Sequence, residues 1–316
     1  MRATILAALC GAALLGVVPT PYWIIAPGSA VDLSQAVAVE GHAPSVDRFY
    51  LTDVSVQHAN ALLLLAGLVP GVRLVKQDAI VPSGVPRPVY DRRLADAMDE
   101  SQDTAAVVAE RAAGFRVVDP PPRLIVSAIL AGSHAGDVLR AGDEVVTVGG
   151  RRISALGDIT RAVERVGGAA TIPMQIRRGA SQLNVRVPTI RLHEGTRLGI
   201  LIEARPTRAL LPVPVRYSLD NVSGSSGGLM FALAIYSALR PDRRHAGTSI
   251  AGTGTIAADG EVGPIEGTLQ KLIAAKRVGA RIFLVPRQNF PEIASEHEVR
   301  IVPVGSFRDA LAALPS

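Results

Sequence analysis

A loop rich in hydroxyls and glycines, Asp220-Asn221-Val222-Ser223-Gly224-Ser225-Ser226-Gly227-Gly228, runs straight into the apolar segment Leu229–Tyr236. Taken alone, a Ser/Gly run is a flexible linker more often than a site. Here it abuts a segment that reads as a buried helix, where a linker serves no purpose. Hydroxyls so placed sit at a helix N-terminus, where backbone N–H groups and the dipole favour developing negative charge. Such a position suits a nucleophile.

Further on, Asp259–Gly267 turns into a second helical segment, Thr268–Lys276, with Lys271 in an otherwise apolar stretch. A helical lysine usually carries its amine out to water. The reactive alternative is a desolvated amine acting as a general base. With an ordinary pKa near 10.4, only about one lysine in a few thousand is neutral at pH 7. Burial lowers that value by up to about 3–5, enough for a working base. Of 33 basic residues only Lys76, Lys271 and Lys276 are lysines, so composition alone rarely puts one here.

Other chemistries find less support. No lysine follows a serine at Ser-x-x-Lys spacing, and no His-Glu-x-x-His occurs among the six scattered histidines. The single cysteine, Cys10, allows neither an intrachain disulfide nor a cysteine metal site. No metal or cofactor is expected, and without a Gly-x-x-x-x-Gly-Lys-Ser/Thr loop no nucleotide phosphate has a cradle. Gly-x-Ser-x-Gly is also the nucleophile elbow of α/β-hydrolases, and Asp259 and His297 follow Ser226 in the order such an esterase uses. Too few strand–helix repeats precede Ser226 for that fold. The net charge of +5 comes from scattered residues and pairs, without a basic stripe or aromatic platform. Nucleic acid is therefore not an expected partner, and a basic surface suits anionic membrane headgroups at least as well.

The elements around these residues fall into four stretches. Residues 1–28 begin Met1-Arg2 and continue without charge through Ile25. That length spans a bilayer as a helix, with Tyr22 and Trp23 at the interface. A cleaved signal peptide ending at Gly28-Ser29-Ala30 is the competing form. Either exports the rest: one leaves a single-pass protein of the cell membrane, the other a secreted one. Residues 29–116 form an N-terminal α/β region, with strand alternation at Phe49–Val56 and helical periodicity from about Arg93 to Ala113, stopped by Gly114. Pro120-Pro121-Pro122 marks a boundary. Residues 117–192 then read as strand, turn, strand, helix and a closing hairpin.

The pattern Leu139-x-x-Gly142-Asp143-x-Val145-x-x-Val148-x-Gly150, with small residues at 133–135, resembles a bacterial PDZ domain. Such domains bind extended peptides at a sheet edge, and the resemblance implies that this edge falls near Leu124, Ile125 and Val126.

Residues 195–316 resemble the proteolytic domain of Lon-type serine proteases. The family's Gly-x-Ser-x-Gly matches Gly224–Gly228 and implies Ser226 as nucleophile, Ser225 being the neighbour that the glycine spacing disfavours. Its Gly-x-Val-x-x-Ile-x-Gly-x-x-x-Lys matches Gly260–Lys271 and implies Lys271 as base. The family threonine that helps hold the lysine amine falls on Thr253. Three positions depart from the pattern: Glu266 replaces a glycine, Ser225 replaces a common proline, and Ser223 stands where an acid is often found, with Asp220 further back.

Together these features predict an α+β chain with an N-terminal membrane helix, a PDZ-like β-rich module and a C-terminal Lon-type proteolytic α/β domain. The resemblance implies an ATP-independent endopeptidase that cleaves proteins or peptides outside the cytoplasm through an acyl-enzyme, and leaves room for a homo-oligomer. The rivals are a non-catalytic peptide-binding scaffold of the cell envelope and an esterase using Ser226 and His297.

Overall fold

The computed structural model describes residues 17–315 except 83, 193–194, 206, 220–221 and 243–246. Along the chain, strands β1 (Pro19–Asp32), β2 (Arg48–Asn60) and β3 (Arg73–Lys76) precede a long helix, α1 (Arg87–Ala112). Next come β4 (Arg123–Ile129), β5 (Glu144–Val148), α2 (Leu156–Val166), β6 (Thr171–Arg178), β7 (Ser181–Pro188) and β8 (Ile200–Arg205). The last third holds α3 (Gly228–Leu239), β9 (Ser249–Gly252), α4 (Thr268–Arg277), β10 (Ile282–Pro286), β11 (Arg300–Val304) and α5 (Phe307–Ala313).

These elements make two compact units, and the first is discontinuous: the residues up to Val117 join those from Leu211 onward. Its central sheet has the order β11-β10-β9-β2-β1-β3. Strands β2, β9, β10 and β11 run parallel, while β1 is antiparallel to both β2 and β3. The alternation of β10 shows how the sheet is covered on both faces. Ile282 and Leu284 join the core around Leu229, Phe231 and Leu233 of α3, whereas Phe283 and Val285 pack with Leu272 and Ala275 of α4. Helix α3 is buried along its whole length, which explains why it is apolar on every side. Helix α1 meets it with Ala105, Ala106 and Ala109, small side chains that let two helices approach closely.

The N-terminal region is thus part of the sheet that carries the C-terminal residues, not a domain of its own. The expected membrane span through Ile25 is also corrected. Pro19–Asp32 is a strand, Ile24 is buried in the sheet opposite Gln57 and Leu74, and Trp23 packs edge-on against His58. Apolar composition does not separate a buried strand from a spanning helix, and Pro19 and Pro21 favour the strand's start over a helix interior. No helix among the described residues is long and apolar enough to cross a membrane. The rest of the proposed anchor, Met1–Gly16, lies outside the described residues. A cut at Gly28-Ser29-Ala30 would divide β1 and remove buried Ile24.

The second unit is Val118–Leu210. Its sheet runs β8-β4-β5-β6-β7 and shares one core with Ile159, Ala162 and Val163 of α2. Asp143 of the Gly-Asp signature is buried. Burial pushes its carboxyl up, but hydrogen bonds from the Arg178 guanidinium and the Arg140 amide outweigh that and hold it below the usual range. That acid fastens the β5 turn to the closing hairpin. Two expectations change here. Strand β8 pairs with β4, so residues 200–205 belong to this unit and not to the following one. For the same reason Leu124, Ile125 and Val126 are no free edge: β4 lies between β8 and β5, and all three residues are buried.

Candidate active site

Two elements of the first unit deliver the reactive side chains. Ser226 lies in the turn just before α3, and that turn accepts glycine for steric reasons. A Cβ on Gly227 would come 2.7 Å from Leu51 Cδ1, and one on Gly228 would come 2.8 Å from both Ser101 Oγ and Ile256 Cγ2. The turn is tied to the segment after β9 by three bonds. Gly254 N donates to the Ser226 carbonyl at 2.8 Å, the Thr253 hydroxyl donates to the same oxygen at 3.1 Å, and Leu229 N donates to the Gly254 carbonyl at 3.1 Å. From α1, the Ser101 hydroxyl donates to the Ser225 carbonyl at 3.0 Å.

Lys271 projects from α4, whose N-cap, Gly267, has φ +73° and would place a Cβ 2.7 Å from Val54 Cγ1. Only glycine meets both demands at low cost. The Lys271 side chain is 3% exposed, yet its amine donates to Ser226 Oγ at 2.7 Å and to Thr253 Oγ1 at 3.2 Å. Burial lowers its pKa from 10.5 to about 8, against the opposing pull of the Asp53 and Glu266 charges. Both carboxylates line the same cleft, of about 1280 Å³, into which Ser226, Gly227 and Lys271 open. Asp53 accepts hydrogen bonds from the amide and the hydroxyl of Ser29.

The structure therefore brings together Ser226, Lys271 and Thr253, each within hydrogen-bond reach of another. Ser225 is exposed and turns its carbonyl to Ser101. Ser223 lines the cleft, while Asp220 lies outside the described residues. His297 is exposed and, like Asp259, is not among the residues lining the cleft. Sequence reasoning missed Leu51, Asp53 and Ser29 as walls of the site. They sit on β1 and β2, and only the pairing of β2 with β9, which sets Leu51 opposite Gly252, carries them there.

A buried amine hydrogen-bonded to a serine at a helix head is the arrangement that Ser–Lys hydrolysis requires. Residues 221–310 match the Lon protease (S16) C-terminal proteolytic domain family. The archaeal Lon protease of Archaeoglobus fulgidus is 30% identical over 96 residues, covering 29% of this chain and 15% of that protein. The Lon protease of Roseiflexus castenholzii is 44% identical over 70 residues, 22% of this chain and 8% of that protein. Lon protease 2 of Bacillus subtilis is 32% identical over 91 residues, 28% of this chain and 16% of that protein. The chain thus spans less than a fifth of the length of these relatives. Among solved structures, the PDZ domain of an SdrC-like protein from Listeria monocytogenes is similar at 17% identity and a TM-score of 0.24, covering 25% of this chain and 85% of that one. Residues 221–310 are accordingly similar to the Lon-type proteolytic domain.

Proposed function

We propose that the chain is an ATP-independent endopeptidase in which Ser226 is the nucleophile, Lys271 the general base and Thr253 the residue that orients the amine. The observation that carries this reading is the 2.7 Å contact between a buried amine and the Ser226 hydroxyl. With a pKa of about 8, about one Lys271 amine in ten is neutral at pH 7. The neutral amine takes the Ser226 proton as Oγ attacks a peptide carbonyl beside the N-terminal end of α3, where the helix dipole favours developing negative charge. The ammonium then returns that proton to the leaving amine, and an acyl-enzyme forms. Water, deprotonated by the same amine, hydrolyses the ester and restores Ser226.

A second site supports protein or peptide substrates. A groove of about 320 Å³ lies between α2 and β8, lined by Leu156, Ile159, Val163, Leu198, Ile200 and Ile202. Strand β8 ends the sheet on that side, so an extended peptide can add to it as a further strand while its side chains enter the groove. The uncharged run Ala3–Val18 supports a location at a membrane, with the catalytic unit outside the cytoplasm.

The test is casein cleavage by the purified chain without ATP. Ser226→Ala and Lys271→Ala are each expected to abolish it while His297→Ala leaves it intact. Cleavage that survives Lys271→Ala and fails with His297→Ala would point to the esterase-type triad. No cleavage by the unaltered chain would leave a peptide-binding scaffold.

A further inference from the structure

The connection between β2 and β3 is unusual for a protein surface. Its sequence, Ala61-Leu62-Leu63-Leu64-Leu65-Ala66-Gly67-Leu68-Val69-Pro70-Gly71, has no charged or hydrogen-bonding side chain. The turn Leu63–Leu68 contains no buried residue. Leu65 is 62% exposed and Leu68 83%, and Leu62 and Val69 are exposed beside them. Single exposed leucines need no explanation, but a contiguous set of large apolar side chains on one loop marks a contact surface.

Two further observations identify the partner. The loop begins where the chain leaves its uncharged N-terminal run: Ala61 N donates to the Val18 carbonyl at 3.0 Å, and Asn60 pairs with Pro19. Val17 and Val18 are themselves exposed there, 75% and 44%. The charges along this stretch of chain are of one sign. Between Asp53 and Asp78 the sequence has no acidic residue, whereas Arg73 and Lys76 on β3 are both exposed. Apolar side chains at a tip with cations behind them match a bilayer, acyl chains first and anionic headgroups above.

We propose that the Leu62–Val69 loop inserts into the surface of an anionic lipid bilayer, giving the catalytic unit a membrane contact besides the one proposed above for the uncharged N-terminal run. This rests on the membrane location proposed above and is independent of peptide cleavage. It would hold the first unit, with its cleft, in a set orientation over the lipid instead of leaving it to swing on a single tether.

The test uses the full chain with Cys10→Ser and an environment-sensitive fluorophore on Leu68→Cys. Vesicles of phosphatidylglycerol and phosphatidylethanolamine are added, with or without spin-labelled acyl chains. The expected result is a blue shift at position 68 and quenching by the acyl-chain spin label. A probe on Arg300→Cys, at the opposite edge of the sheet, should show neither. Leu65→Ser with Leu68→Ser should weaken vesicle partitioning at least fivefold while casein cleavage in lipid-free solution is unchanged. A chain that pellets with vesicles while position 68 stays in water would overturn the loop contact and spare the N-terminal anchor. No pelleting at all would overturn both. A blue shift that grows with protein concentration and needs no lipid would assign the loop to a second copy of the chain and overturn the lipid contact.

Discussion

The Ser101 hydroxyl donates a 3.0 Å hydrogen bond to the carbonyl of Ser225, the residue directly before Ser226. The two residues are separated in sequence by the whole Val118–Leu210 unit, so the bond joins the halves of a discontinuous domain at its most reactive turn. Because Ser101 bonds to the turn and is not among the residues lining the cleft, it is a positioning residue for Ser226. A neutral hydrogen bond of this kind is worth about 0.5–1.5 kcal/mol. Ser101→Ala should therefore lower kcat by up to about tenfold, with KM little changed, in steady-state peptide cleavage. An unchanged kcat would show that the turn holds its shape without α1.

Thr253 is fully buried and bonds at once to the Lys271 amine and the Ser226 carbonyl. Thr253→Val keeps the shape and removes both bonds. The expected loss in kcat is about tenfold to a hundredfold, on the cost of about 1–3 kcal/mol for an unsatisfied buried polar group. Thr253→Ser should recover most of it. A Thr253→Val variant with wild-type kcat would mean that the hydroxyl does not matter.

Gly228 has no room for a side chain: a Cβ there would meet Ser101 Oγ and Ile256 Cγ2, both at 2.8 Å. Gly228→Ala should cost about 1–3 kcal/mol of stability by overpacking and shift the Ser226 turn. Thermal unfolding and peptide cleavage read the two effects, and both are expected to fall. A variant with wild-type melting and rate would show that the contact relaxes freely.

The buried amine also makes stability depend on pH. Lys271 ionises at about 8 when folded and at 10.5 when free, so between those values the unfolded chain binds more protons than the native one. Stability then rises with pH across that window, by about 3 kcal/mol in total, with the full penalty present below pH 8. Lys271→Met should accordingly be more stable than wild type at pH 7 and lose that advantage toward pH 10.5, in denaturant titrations at several pH values. A variant less stable at pH 7 would mean that the amine contributes more through its bonds than its burial costs.

The chemistry of this protein was far more legible than its frame. Ser226 and Lys271 stand out because their neighbourhoods are locally odd: a Ser/Gly turn against an apolar helix, and a lysine where lysines are rare. The helix that carries Lys271, α4, is likewise a local pattern. What sequence periodicity does not carry is which distant strands pair. Leu51 lies opposite Gly252 because β2 docks on β9 across some two hundred residues, and Asp53 enters the cleft only as a consequence. The same blindness hid β8, whose partner β4 lies seventy-odd residues earlier, and so misplaced the edge of the second unit. Tyr22 and Trp23 read as interfacial because an apolar run looks alike in a membrane and in a buried strand. Pairing with Lys76 and Val75 distinguishes the two.

In the proposed mechanism the Lys271 amine must be neutral for Ser226 to be acylated. The most direct test of that requirement is the pH dependence of acyl-enzyme formation in single-turnover mixing with a fluorogenic peptide ester, from about pH 6 to pH 10. The rate constant should climb about tenfold per pH unit at the acid end and level off above the Lys271 pKa of about 8. A rate that is flat across this range, or that levels near 6.5 as a histidine base would require, contradicts it.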